Sequence, residues 1–309
     1  MSGAVDRHVQ RLLHMLESGR DPDAPYDPLA RRDGLSQLGS LAGSTGAPPC
    51  LTETLYLSGV GRGRIYRPFP SRSPQPGLIY FHGGGFVAGG LETHDGVCRR
   101  LARASERVVV SATYRLAPEF AFPAAHVDAR LAARAIARDA LALGLDPERL
   151  ALAGDSVGAG LAMSTCLALA QSDDIRFDRL GLICPILDLE RDSPSRRLYP
   201  RGRFIEMDAV RRDFELYCPD PAIRAGAMAS PLRAGDLSAL PPTVIHTAEL
   251  DPFRDDGEDL SARLETLGRQ AVLVRHDRMV HYFYALPGLI PSAEPALDQF
   301  AKAMAADPQ

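Results

Sequence analysis

No stretch of this 309-residue chain approaches the roughly 18 uninterrupted apolar residues that a membrane-spanning helix needs, so no membrane span is expected. There is no basic excess either. The 35 lysines and arginines stand against 39 aspartates and glutamates, a net charge of −4, which argues against a general nucleic-acid binder. The five cysteines (Cys50, Cys98, Cys166, Cys184 and Cys218) form no C-x-x-C. An odd, unpatterned set points to reduced thiols, not to a disulfide framework or a zinc site. The opening MSGAVDRHVQ lacks the basic-then-apolar layout of a secretory signal, so the expected location is the cytoplasm. No internal repeat and no low-complexity tract is present. What remains is 45% hydrophobic, enough for one large core.

Within that core, short apolar runs alternate with helical patterns. Gly77–Phe81, Arg107–Ala112, Leu150–Ala153, Leu180–Cys184, Thr243–Thr247 and Ala271–Arg275 read as strands. Ala125–Leu143, the segment from Val157 onward, Arg254–Leu267 and Ala293–Met304 read as helices. Leu51–Ser58 and Gly63–Tyr66 read as an antiparallel pair ahead of them. The alternation implies a parallel sheet with helices on both faces. In such sheets ligands sit beyond the carboxyl ends of the strands. Near the N-terminus, Val9, Leu12, Leu13 and Leu16 make one face of a helix over His8–Ser18. It is expected to pack on the body, with an active-site lid or a lipid-touching face as the alternatives. Asp21–Pro49 is rich in Pro, Gly, Asp and Ser and reads mostly as loop. Asp188–Arg233 breaks the rhythm, with one helical piece at Met207–Leu216.

The chemistry gathers at strand ends. Leu150–Gly160 reads LALAGDSVGAG, a strand running into G-x-S-x-G and then a helix. Such a turn holds the serine in a strained backbone, lifts its hydroxyl clear of the sheet and aims a helix N-terminus at its target. A tight turn that needs small residues for packing is the plain alternative. A serine hydroxyl needs a base, a group that orients the base, and donors for the oxyanion. Gly83, Gly84 and Gly85 follow a strand directly, so the Gly83 and Gly84 N–H groups are expected as donors, with Val157 N–H as a third. A phosphate cradle is the weaker reading, because neither G-x-x-x-x-G-K-[ST] nor a complete dinucleotide motif is present. His281 lies just past the last strand and is the expected base; His276 is expected to cap that strand. Asp251 follows the Thr243–Thr247 strand and is the expected orienter. Glu249 is the runner-up, and Asp255 and Asp256 belong to the first turn of the next helix, where acids suit the dipole. The order Ser156, Asp251, His281 is that of the α/β-hydrolases.

The set FHGGGF (81–86), YRLAPE (114–119), GDSVGA (154–159), DPFRDDGE (251–258) and MVHYF (279–283) resembles the hormone-sensitive-lipase branch of the α/β-hydrolases, nearest to bacterial acetyl-esterase-like carboxylesterases. The resemblance runs from Gly77 to the C-terminus. It implies the α/β-hydrolase fold, with a mostly parallel sheet of about eight strands, helices on both faces and a helical cap. It implies Ser156, Asp251 and His281 as triad, and Gly83, Gly84 and Val157 as oxyanion donors. It implies no metal and no organic cofactor. Residues 1–50 become an N-terminal cap segment and 188–233 a cap insertion. Residues 51–187 and 234–309 become the catalytic domain. Asp155 and Glu119 take structural roles, holding the elbow and its neighbouring loops.

The chain departs from the family pattern at Thr113, at Ala159, at Val157 (ordinarily Ala) and at Tyr282 (ordinarily Gly). Phe86 and Tyr282 are expected in the substrate pocket. The bulk of Val157 and Tyr282 predicts a constricted pocket for short acyl or small alcohol groups. Arg196, Arg197, Arg201, Arg203, Arg211 and Arg212 read either as a solvated basic face or as recruitment of an anionic ester. The expected reaction is hydrolysis of a small-molecule carboxylic ester through an acyl-enzyme. An amidase, arylformamidase or lactonase would use the same triad. A non-catalytic receptor, similar to the plant gibberellin receptors, is disfavoured because those lack the catalytic histidine. Ala271–Arg275 is the last strand of the sheet and an open edge, so a homodimer through it is expected.

Overall fold

The computed structural model describes residues 5–19, 24–43, 46–57, 59–172 and 175–305. Among these, eight strands form one sheet in the order β1-β2-β4-β3-β5-β6-β7-β8. They are β1 (Leu51–Leu57), β2 (Gly61–Arg67), β3 (Gln75–Phe81), β4 (Val108–Ala112), β5 (Leu145–Asp155), β6 (Arg179–Ile183), β7 (Thr243–Ala248) and β8 (Ala271–His276). β1 pairs with β2, and β2 with β4, antiparallel; every other pairing is parallel. Ser58, the expected end of the first strand, lies outside the described residues. The parallel strands β3 to β7 are apolar on both faces, because helices cover both. All five residues of β4, for example, are buried.

The helices are α1 (Arg7–Ser18), α2 (Pro28–Leu38), α3 (Asp95–Ser105), α4 (Ala124–Arg138), α5 (Val157–Ser172), α6 (Pro194–Leu198), α7 (Met207–Tyr217), α8 (Pro221–Arg224), α9 (Arg254–Thr266) and α10 (Ala293–Ala303). One core cluster lies on the α4 and α5 side of the sheet and takes in Met207, Val210 and Phe214 of α7. The other lies on the α3 and α10 side and takes in Val9 and Leu12 of α1. α5 runs so close to β3 that a Cβ on Gly158 would sit 2.2 Å from the Phe81 carbonyl oxygen. Only glycine permits that approach.

Asp21–Pro49, expected mostly as loop, contains α2 and a π-helical turn at Gly39–Gly43; residues 21–23 and 44–45 lie outside the described residues. α2 starts where Asp27 caps the Leu29 N–H and Pro28 takes the first turn, the usual start signals. Arg32 fastens it to the body. Its Nε donates to the Val87 carbonyl at 2.8 Å, its Nη2 to the Ala117 carbonyl at 2.9 Å, and its two Nη groups to the Glu119 carboxylate. α1 begins with Asp6 accepting from His8 N and Val9 N, and it buries Val9 and Leu12 against the second cluster. Residues 188–233 leave the sheet after β6 and carry α6, α7 and α8.

Candidate active site

Ser156 stands at the corner between β5 and α5 with φ +54°, a left-handed conformation that non-glycine residues seldom adopt. Its N–H donates to the Ile183 carbonyl at 2.9 Å. That bond ties the corner to the neighbouring strand while the side chain faces the cavity. His281 Nε2 lies 3.0 Å from Ser156 Oγ, and His281 Nδ1 lies 2.7 Å from Asp251 Oδ2. Asp251 is fully buried, and its other oxygen accepts from Phe253 N–H at 2.8 Å. The Phe253 ring meets the imidazole edge-on at 5.9 Å. The loops after β7 and β8 are joined by backbone bonds, Glu249 N to the His276 carbonyl at 3.0 Å and Leu250 N to the Met279 carbonyl at 2.9 Å. The carboxylate and the imidazole are thereby brought together from positions 30 residues apart.

The other acids near that loop do different work. Glu249, the runner-up orienter, accepts from Arg278 N–H at 2.7 Å. Asp255 accepts from Ser195 N–H at 2.8 Å. Asp256 accepts from Leu187 and Asp188 N–H and faces Arg196; burial pushes its carboxyl up to about 6 against the pull of Arg196. His276 does not cap its strand. Its Nε2 lies 2.9 Å from Nδ1 of the buried His246, with His276 itself half-buried.

Behind the serine, Asp155 is a fully buried acceptor for three elements. It takes Tyr80 Oη at 2.6 Å, Tyr284 Oη at 2.6 Å and the Gly83 N–H at 2.9 Å, with His94 Nε2 at 3.3 Å. Burial alone would raise its carboxyl. His94 and the two phenols outweigh that and hold it at about 2. This bond bears on which amides are open to a ligand in the cavity. The Gly83 amide, expected as one of them, is already committed to Asp155. Of the three glycine amides, those of Gly84 and Gly85 have no partner among the described residues, and both residues line the cavity. Gly84 is held at φ +125°, where a Cβ would meet the Ala88 carbonyl at 2.2 Å. Val157 supplies the first N–H of α5, which no helical bond uses.

The cavity over Ser156 and His281 has a volume of about 780 Å³. Leu13 and Leu16 of α1, Leu35 and Leu38 of α2, and Phe204, Ile205 and Val210 of the 188–233 stretch give it an apolar wall. Of the residues expected to shape it, Tyr282 lines it and Val157 does not. The Val157 side chain is fully buried in the core cluster beneath the sheet's helices, so its bulk does not narrow the cavity. Phe86 does not line the cavity either. At φ +66° its ring turns into the body and stacks on Tyr217 at 4.0 Å. The cap arginines are engaged. Arg197 pairs with Asp192, Arg201 and Arg211 with Asp208, and Arg196 is buried against Asp256. Arg212 lies over the Tyr26 ring. Arg203 donates to the Gly202 carbonyl. None of the six lines the cavity, and Arg197, Arg201 and Arg211 are exposed, which favours the solvated face over recruitment of an anionic ester.

Cys184, missed as a neighbour of the site, has its sulfur close to the pair. The ligand atoms of Cys184, Asp251 and His281 lie within 4.8 Å of one another, a set that could reach a common metal ion. The donor chemistry does not fit one. Burial pushes the Cys184 thiol well above its ordinary range, and a thiolate is what binds metal. Asp251 and His281 are already bonded to each other.

A strand, a strained serine corner, a helix and a histidine loop after the last strand, built on this sheet order, define the α/β-hydrolase class. A family model described as the alpha/beta hydrolase fold matches residues 78–285, and the chain belongs to that family, in its hormone-sensitive-lipase-like branch. It is similar to an ethyl acetate hydrolase of Pseudomonas putida, 32% identical over 305 residues, covering 94% of this chain and 96% of that one. It is 35% identical over 238 residues to carboxylesterase NlhH of Mycobacterium tuberculosis, covering 75% and 74% of the two chains. A solved structure of a hyperthermophilic esterase from Pyrobaculum calidifontis superposes with a TM-score of 0.89 at 35% identity, over 97% of this chain and 98% of that one. The chain is an enzyme of this esterase class. Among the described residues no helix is long and apolar enough to cross a membrane.

Proposed function

We propose that the protein hydrolyses small carboxylic esters through an acyl-enzyme on Ser156, with His281 as general base and acid and Asp251 as its orienter. The observation that carries this reading is the continuous chain of contacts from Ser156 Oγ through the imidazole to Asp251, 3.0 Å and 2.7 Å long. His281 Nε2 takes the hydroxyl proton as Oγ attacks the ester carbonyl. The oxyanion rests on the N–H groups of Gly84, Gly85 and Val157; each such donor contributes on the order of 3 kcal/mol to the transition state. The imidazole then protonates the leaving alcohol, and a water activated by the same base releases the acid. Residues 1–50 and 188–233 serve as the cap over this centre. The leucines of α1 and α2 supply room for an acyl group, and Tyr282 narrows the cavity beside His281. The five free thiols support a reducing, cytoplasmic setting, and the net charge of −4 supports a small-molecule partner over nucleic acid. β8 is the sheet's edge, with Val272 and Leu273 exposed, which supports a homodimer through that strand.

The test is covalent. An activated phosphonate ester should add one phosphonyl group to the wild-type protein and none to Ser156→Ala. An adduct of equal mass on the variant would remove Ser156 as the nucleophile. In a p-nitrophenyl ester series, activity should peak below octanoyl; a peak at octanoyl or longer would refute the small-ester reading.

A further inference from the structure

Two aromatic residues beside the reaction centre hold a backbone conformation that bulky side chains avoid. Phe204, in the 188–233 stretch, has φ +72°, and Tyr282, directly after His281, has φ +67°. Glycine would occupy either position without strain, and strain of this kind persists only where the surroundings over-determine it. The two rings stack on each other, 5.7 Å between centroids and 18° between planes, and both line the cavity. Tyr282 is further held by His94 and Tyr284, each meeting its ring at 72°, and its hydroxyl lies 3.5 Å from the Thr93 carbonyl. The wall is therefore built before any substrate arrives.

Which part of an ester meets this wall follows from the route of the proton. His281 Nε2 receives the proton of Ser156 Oγ and returns it to the departing oxygen. That oxygen has to come within hydrogen-bond reach of Nε2. Tyr282 follows His281 directly and lines the same cavity with Phe204 stacked on it, so these rings are open to whatever that oxygen carries.

We propose that Phe204 and Tyr282 form the leaving-group subsite and favour esters of aromatic alcohols. This assignment rests on the Ser156–Asp251–His281 reading. Benzyl acetate and cyclohexylmethyl acetate test it, because they share the acyl group and the CH2–O leaving atom and differ in a flat or a puckered ring. Wild type should prefer the benzyl ester by about 3- to 10-fold in kcat/KM, the scale of one aromatic pair. Tyr282→Leu and Phe204→Leu should each bring that ratio down toward one. Tyr282→Phe, which keeps the ring and loses the hydroxyl, should retain it. The ratio within each variant cancels any general loss of activity. A wild-type ratio at or below one overturns the proposal, and so does a ratio unchanged in both leucine variants. Ser156→Ala separates the two readings. If it abolishes turnover of both esters, a failed ratio leaves the triad standing. If it turns over both at the wild-type rate, the triad reading falls and the subsite falls with it.

Discussion

Replacing Asp155 should damage stability and catalysis together, and by amounts that its contacts set. The carboxylate is the acceptor for the Tyr80 hydroxyl, the Tyr284 hydroxyl and the Gly83 amide, all buried. Asp155→Ala leaves those three donors without a partner. Each unsatisfied buried donor costs about 1–3 kcal/mol, and relief of the desolvated charge offsets part of the sum. A net loss of about 4 kcal/mol is expected by that arithmetic. Asp155→Asn is milder. Its carbonyl oxygen can keep Tyr80 and Gly83, and its amide can donate to the Tyr284 hydroxyl, so only charge assistance is lost, roughly 2 kcal/mol in all. Catalysis follows because Gly83 precedes Gly84. Once the Gly83 amide is released, the loop that presents the oxyanion donors loses its tether. A misplaced donor lowers kcat by about 100-fold. Guanidinium unfolding and ethyl acetate turnover on the two variants measure both effects. If Asp155→Ala unfolds within about 1 kcal/mol of wild type and keeps its kcat, the reasoning about this carboxylate is wrong.

Further outcomes follow from other parts of the molecule. Burial lowers three histidines, His82 to about 4 and His126 and His246 to about 3. In the unfolded chain they protonate near 6.5, so the stability they contribute is present above that pH and is lost as pH falls toward their folded values. Asp256, raised to about 6, works in the opposite direction by one proton. His276 is lowered as well, and Asp213 and Glu258 are raised by burial, so four histidines stand against three carboxyls and stability should fall by on the order of 1 kcal/mol per pH unit between about pH 6 and pH 4; urea midpoints that stay level or rise over that range would contradict it. Arg32→Met removes the clamp between α2 and the loop of Val87 and Ala117. It should lower kcat for p-nitrophenyl acetate more than it raises KM, with Arg32→Lys in between; a change in KM alone would count against the clamp. Leu273→Lys, at the exposed face of β8, should convert a dimer to a monomer by light scattering, and a wild-type monomer would dispose of the edge pairing.

Ser156, Asp251 and His281, which the fold brings into contact, are legible because each follows an apolar run, where period and turn chemistry are local. What the sequence hid depends on contacts across long separations or on the direction of one side chain. Asp155 and Gly83 are 72 residues apart; no local pattern shows that a buried carboxylate has claimed the first glycine's amide and moved the free donors one position along. Phe86 and Val157 looked like pocket residues by adjacency, yet a left-handed φ at one and a core-facing helix start at the other turn them away. α2 was obscured by Gly34 and by flanking prolines, although Asp27-Pro28 was a readable start signal. What holds it is Arg32 reaching loops 55 and 85 residues on. Cys184 and the His246–His276 pair gave no signal at all, since a lone cysteine and scattered histidines carry no spacing to read.

The twisted corner at position 156 sets a price on being active. A glycine there would relax the backbone by on the order of 1 kcal/mol or more, so an inert Ser156→Gly protein should melt later than the working one. Position 156 gives up backbone ease to hold a hydroxyl against the imidazole.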